Sequence, residues 1–459
     1  MSTWLTRCIA AAAVGFVCSG TILAQNGLSP DQLRQAAVIA LKEDDPAVAR
    51  QFASALVQRD PSDLNAHLIL ARASRDLGEV APARVAARTA WQLAETDAER
   101  YSTALITAQI LATDGKRTRA QLWLRRAVQN APNDALRERA TRDFQYVKQQ
   151  NPWKTDLTFT FAPNSNINNG SARDRSRLNY AISELLFGEE IEFDLDDEAQ
   201  AISGIEIGGS VRTRYRFHQT PTTAHDVNLS LSYRTFEITD TLSDETVKGS
   251  DFAFGNVALG YGYRRLNMDR KGEFSLNVEA GQSWYGGSRY ASYARTQLQQ
   301  AVRINQKQRL RFGADLERQW GQATPDVDSL GLSVSLTQAF ASGNSGLFGI
   351  SAVTTQSPNE GSEYAELTLR TGLALKKPVM GAALQIAVGA SWRDYDFSRD
   401  SRDGRQDVRL FADVTATFKD IDYYGFNPTV RLSASTTDSN IGLFDVNRVG
   451  LNIGIKSAF

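Results

Sequence analysis

His67, His218 and His225 are the only histidines of the chain, and they fall on one expected helix and around one expected turn. No two of them share an element at a metal-ligand spacing, so packed or surface histidine is the expected reading. Both cysteines, Cys8 and Cys18, lie in the first 24 residues, so beyond these neither a disulfide nor thiolate chemistry is expected. The run Glu192-Phe193-Asp194-Leu195-Asp196-Asp197-Glu198 gathers carboxylates but lacks the glycine and ligand spacing of a calcium loop. It reads as a solvated loop, as do Asp394, Asp396 and Asp400. There is no Gly-rich phosphate loop and no local set of nucleophile, base and acid. Neither a catalytic residue nor a metal or other cofactor is expected.

The ionisable residues that carry a pattern are those alternating with apolar ones. Arg212, Arg214 and Arg216 do so, as do Glu273, Glu279, Arg303, Arg309, Arg311, Arg370, Arg393, Arg409 and Lys456. Leu310, Phe312, Ala314 and Leu316 alternate with Arg309, Arg311, Gly313 and Asp315. Val408, Leu410, Ala412 and Val414 alternate with Asp407, Arg409 and Asp413. Successive strand side chains point to opposite faces, so such segments have one apolar and one polar face. A mainly cationic polar face is expected to line a lumen.

Fourteen such strands are expected between residues 151 and 459, starting near Lys154, Ser203, Ala224, Ser250, Lys271, Arg289, Lys307, Val327, Ser345, Gly361, Met380, Arg405, Asn427 and Val446. Their length, about 10–15 residues, suits a tilted membrane span better than a soluble sandwich. Their even number suits an antiparallel transmembrane β-barrel of the outer membrane. Tight turns (Asn305-Gln306, Ser342-Gly343-Asn344, Lys376-Lys377-Pro378) alternate with longer polar connections. Trp153, Trp284, Tyr285, Trp320, Trp392, Tyr395, Tyr423 and Tyr424 are expected in interfacial girdles. On the last strand Val449, Leu451, Ile453, Ile455 and Phe459 share one face, an apolar edge strand ending in an aromatic. That pattern resembles the recognition signal of the outer-membrane barrel assembly machinery, which, with periplasmic chaperones, becomes an expected partner.

Residues 25–150 read differently, as an all-α domain of about seven helices. Ala71, Gly78, Ala83 and Ala90 are matched by Ala108, Gly115, Ala120 and Ala127, with Pro132 closing the second unit. This resembles the tetratricopeptide repeat, in which small residues let paired helices approach closely. Arg72, Arg75, Arg84, Arg88, Arg125 and Arg126 are expected on solvated helix faces. Residues 1–24, with Arg7, the apolar Ile9–Val17 stretch and Ile22-Leu23-Ala24, read as a signal peptide. No later stretch is apolar enough for a membrane-spanning helix, and a formal charge of -1 gives no reason to expect nucleic acid.

An export signal, a short repeat domain in the periplasm and a terminal barrel in the cell outer membrane resemble the surface lipoprotein assembly modulator family of Gram-negative bacteria. The opening Phe161-Ala162-Pro163-Asn164-Ser165-Asn166-Ile167-Asn168 is similar to the start of that family's barrel. The resemblance implies a translocon without catalysis, delivering a client protein (a surface lipoprotein or small secreted protein) from periplasm to cell surface. The alternatives from architecture are an exopolysaccharide-export porin with periplasmic repeats and a solute porin.

Overall fold

The structure is a computed structural model that describes residues 28–244 and 246–457. The expected signal peptide, both cysteines and Phe459 lie outside the described residues. Seven helices precede the first strand: α1 (Pro30–Lys42), α2 (Pro46–Arg59), α3 (Leu64–Asp76), α4 (Val80–Leu93), α5 (Asp97–Thr113), α6 (Arg117–Gln129) and α7 (Asp134–Gln150). Their starts are written locally. Ser29 with Gln32, and Thr96 with Glu99, form capping boxes, while Asp45 and Asp63 cap α2 and α3.

Consecutive helices pack as α1/α2, α3/α4 and α5/α6. Each pair turns through one left-handed residue: Asp44 at φ +60°, Gly78 at +77° and Gly115 at +70°. A Cβ added at Gly78 would meet nothing within 4 Å, so glycine serves the backbone angle there, worth about 1–2 kcal/mol. Ala71, Ala83, Ala90, Ala120 and Ala127 have no exposed surface and Ala108 only 1%. These are tetratricopeptide-like helix pairs, close because alanine occupies the contacts. Pro132 lies in an exposed bend before α7. Trp91 of α4 and Trp123 of α6 meet edge to face at 4.9 Å, with the Arg126 guanidinium 4.3 Å from the Trp123 ring centre. Arg125 is buried, a correction to the solvated face the sequence suggests, while Arg126 stays exposed as it stacks on the tryptophan.

Helix gives way to strand between Gln150 and Trp153, while the two compact units of the chain divide earlier, between Asp134 and Ala135. The strands are β1 (Trp153–Asn164), β2 (Arg175–Arg177), β3 (Glu192–Asp194), β4 (Gly204–Gln219), β5 (Thr223–Ile238), β6 (Phe254–Asn267), β7 (Gly272–Tyr285), β8 (Ser288–Arg303), β9 (Gln308–Gly321), β10 (Val327–Ala339), β11 (Ser345–Gln356), β12 (Ala365–Ala374), β13 (Ala382–Tyr395), β14 (Arg405–Phe418), β15 (Phe426–Ser439) and β16 (Val446–Ser457). Fourteen of them close into one antiparallel barrel in the order β1-β16-β15-β14-β13-β12-β11-β10-β9-β8-β7-β6-β5-β4. β2 and β3 pair apart from it, in the connection from β1 to β4, which also holds α8 (Tyr180–Phe187). The acidic run is therefore partly strand: Glu192–Asp194 is β3, with Arg175 and Asp194 paired at 2.7 Å.

The outward face is apolar. Phe159, Phe161, Leu259, Leu332, Leu410 and Ile455 are all more than half exposed, as a lipid-facing surface requires. Trp153, Tyr285, Trp320 and Trp392 are exposed near strand ends. Tyr395 is a correction to the girdle: it is buried on the other face, where Arg393 donates to its hydroxyl at 3.2 Å. His225 belongs with the aromatics, its Nδ1 2.7 Å from the Tyr261 hydroxyl and its ring 5.4 Å from that of His218.

Candidate functional site

The polar face opposite the exposed apolar one holds a series of ion pairs. Arg214 and Arg216 of β4 reach Asp226 of β5 at 3.6 and 2.8 Å, and Arg264 of β6 joins at 2.8 Å. The Asp226 carboxylate is 3% exposed, so three guanidinium groups compensate one buried charge. Arg295 bridges Glu279, at 3.4 Å, and Glu317. Glu273 takes Arg309 at 3.2 Å, Arg393 meets Glu366 at 2.5 Å, and Asp413 sits between Arg370 and Arg431 at 3.8 and 2.8 Å. Arg212, Arg303, Arg311, Arg409 and Lys456 alternate with apolar residues in the same way and have no ion pair among the described residues. Alternation alone could have added Asp226, Arg264, Arg295, Glu317, Glu366, Asp413 and Arg431, which sequence reasoning missed. With them the polar face carries both signs, its carboxylates held between the more numerous arginines.

A second feature is the seam where the barrel closes. β1 is laddered to β4 along its whole length, Trp153↔Tyr215 through Asn164↔Gly204. Against β16, among the described residues, it forms a single ladder pair, Asn164↔Gly450. Each backbone hydrogen bond contributes about 1 kcal/mol net. The seam is therefore weaker than neighbouring joints such as β15–β16, which is paired from Phe426↔Ser457 to Thr437↔Val446.

Within the seam the Asn452 amide of β16 donates to the Thr160 hydroxyl of β1 at 3.0 Å, and beyond it stands a clasp at one end, built by the Asn-rich segment that follows β1. Ser165 N–H donates to the Val449 carbonyl at 3.1 Å, and Val449 N–H returns a bond to the Ser165 hydroxyl at 2.8 Å. Asn166, fully buried, donates to the Asn447 carbonyl at 3.3 Å. Arg448 donates to the Asn166 carbonyl and to Asn169 Oδ1, each at 3.1 Å. Arg173 pairs with Asp445 at 2.6 Å. Asn168 holds the return leg, donating to the Gln200 carbonyl at 2.7 Å and accepting from Ile202 N–H at 3.0 Å. Ile167 packs on buried Ile202 and Phe236. A Cβ on Gly170 would lie 2.1 Å from the Gln200 carbonyl oxygen, so only glycine fits there.

The rest of the 165–203 connection reaches three other loops at the same end. Arg177 donates to the Asn440 carbonyl at 3.1 Å, and Arg402 pairs with Glu184 at 2.6 Å. Asn179 N–H donates to Asp400 at 2.9 Å. Asp197 accepts from the Ser243 hydroxyl and N–H, which hold its carboxyl below the usual range. No group of three or more His, Cys, Asp or Glu among the described residues has a metal-holding arrangement. Val449, Ile453 and Ile455 of β16 are more than half exposed on the apolar face, and Leu451 is partly exposed.

The sequence profile of the surface lipoprotein assembly modifier family matches residues 153–459, from the first residue of β1 onward. The chain belongs to this family. The match takes in every strand of the barrel, the seam and the clasp, so these are features of a surface lipoprotein assembly modifier barrel, placed in the outer membrane. A comparison with curated proteins gives no match. Among solved structures, the Yersinia enterocolitica type III secretion translocator chaperone SycD is 20% identical over 27% of this chain and 89% of its own, with a TM-score of 0.24. PcrH in complex with the chaperone-binding region of PopD is 20% identical over 28% and 98%, with a TM-score of 0.25. The TPR2B domain of yeast Sti1 is 14% identical over 26% and 97%, also with a TM-score of 0.25.

Proposed function

We propose that this chain is an outer-membrane translocon that carries a client protein, a surface lipoprotein or a small secreted protein, from periplasm to cell surface. The observation that carries this reading is the match of the whole barrel, 153–459, to a family of surface lipoprotein assembly modifiers. In this reading residues 1–24 direct export, the helix pairs of 25–150 stand in the periplasm and receive the client, and 151–459 span the membrane. The polar face with Arg212, Arg303, Arg311, Arg370, Arg409 and Lys456 lines the lumen. Its mixed charge suits passage of a polypeptide carrying both signs better than selection of one ion. The terminal strand, with Val449, Leu451, Ile453, Ile455 and Phe459, is read by the barrel assembly machinery. No catalytic step is needed: client folding outside would prevent return.

The test is display of an epitope-tagged surface lipoprotein in cells with and without the chain, read by protease shaving of intact cells. Exposure that requires the full chain supports the proposal, and loss of exposure on deletion of residues 28–133 places client reception in the repeats. Unchanged display, with polysaccharide export or small-solute uptake dependent on the chain, would replace it with a porin.

A further inference from the structure

Among the described residues, the backbone edge of β1 that faces β16 has no ladder partner from Trp153 to Pro163. Unpaired backbone polar groups are not tolerated in the hydrocarbon region of a bilayer, so an unladdered seam in a spanning barrel needs an occupant or a closing movement. Continuing the Asn164↔Gly450 register would set Phe161 opposite Ile453, Phe159 opposite Ile455 and Leu157 opposite Ser457.

The side chains along the seam fit an added strand. On the apolar face β1 presents Leu157, Phe159 and Phe161, all more than half exposed. On the polar face β1 presents the small Thr158, Thr160 and Ala162, while β16 alternates Gly450 and Gly454 with Arg448, Asn452 and Lys456, and the Asn452 amide donates to the Thr160 hydroxyl at 3.0 Å. A strand entering from the polar side would displace that side-chain bond. The clasp at Ser165–Arg173 meanwhile holds the two strands together beyond the ladder.

We propose that the Trp153–Pro163 edge of β1 is the acceptor for an extended segment of the exported polypeptide. That segment pairs with β1 by main-chain hydrogen bonds and enters the seam between β1 and β16. It would alternate apolar residues, directed to lipid, with small polar ones, complementing Phe159 and Thr160. This rests on the translocon reading, and it names where on the barrel the client is held.

The experiment uses the full chain and a lipoprotein whose surface display has first been found to depend on it, so failure of the translocon reading is detected before the seam is tested. Phe159→Cys with Ile455→Cys staples the seam. Leu330→Cys with Thr354→Cys, which are register partners on β10 and β11, staples a fully laddered joint. Oxidation is expected to abolish display with the seam staple, to restore it on reduction, and to leave it unchanged with the control staple. A photo-crosslinking residue at Phe161, a single change independent of the staple, is expected to capture the tagged lipoprotein during export, and one at Leu330 is not. Display persisting through a complete seam staple would overturn the proposal. So would capture only of a second copy of this chain, which would make the edge a dimer contact.

Discussion

The amide of Asn166, fully buried, donates to the carbonyl of Asn447 across 281 residues of chain, and so ties the segment after β1 to β16. The same side chain donates to and accepts from Gly170, at 2.8 and 2.9 Å. Asn166→Ala strips all three bonds and leaves buried partners unsatisfied, which costs about 1–3 kcal/mol. The temperature at which the folded barrel loses its compact mobility in detergent gels is expected to fall. An unchanged midpoint would remove the clasp from the account of closure.

Asp226 is the single anion among Arg214, Arg216 and Arg264. Asp226→Ala leaves three cations facing one another, and a loss of about 3 kcal/mol is expected, the low end for a broken buried pair because the arginines keep partial solvent contact. Arg216→Ala should cost less, because Arg264 remains on the carboxylate. Chemical unfolding of the refolded barrel measures both; equal losses would mean that Arg264 does not hold the carboxylate on its own.

Acid should weaken the start of α5. The Glu99 carboxylate accepts from the backbone N–H groups of Thr96 and Glu95 and is held below the usual carboxylate range. Because the folded value is depressed, this stabilisation is fully present above the unfolded value of about 4.3. It is lost as pH falls through the folded value. In the full chain, Glu99→Gln is expected to flatten that part of the acid dependence of helical circular dichroism. An unaltered acid profile would assign the acid sensitivity to other groups.

The 165–203 connection is pinned by Arg173–Asp445 and Arg402–Glu184, in which both arginines are largely exposed. Such pairs contribute about 0–1 kcal/mol each. Arg173→Ala combined with Arg402→Ala should therefore raise proteolytic cleavage within 165–203 about fivefold for each kcal/mol lost. The barrel itself should stay resistant. Cleavage at the unmodified rate would leave the hold to Asn168 and the Ile167 cluster.

The barrel was legible because alternation is a local signal. Expected strand starts fall within four residues of those observed: Ser250 against Phe254 and Gly361 against Ala365 are the widest gaps. The helix pairs were legible for the same reason, Ala71 and Ala108 marking equivalent close contacts. Tyr395 was misplaced because an aromatic near a strand end fits either face until the register is known. The clasp was not legible as such. Asn164 to Asn168 stood out as a motif, but their partners Asn447, Arg448 and Asp445 are brought near only by closure. The missing ladder between β1 and β16 left no trace either, since both strands alternate like their neighbours.

That missing ladder bears on how the molecule comes to be. Every other joint of the barrel links strands adjacent along the chain, over loops far shorter than the domain, or, for β1 and β4, across the 165–203 connection. Only the joint at Asn164 and Gly450 must gather nearly the whole domain, which makes it the slowest to form and the dearest in loop entropy. An assembly intermediate with every hairpin zipped would carry the same bare β1 edge as the finished protein. The mature barrel thus retains, under the guard of one asparagine-rich clasp, the last unfinished step of its own folding.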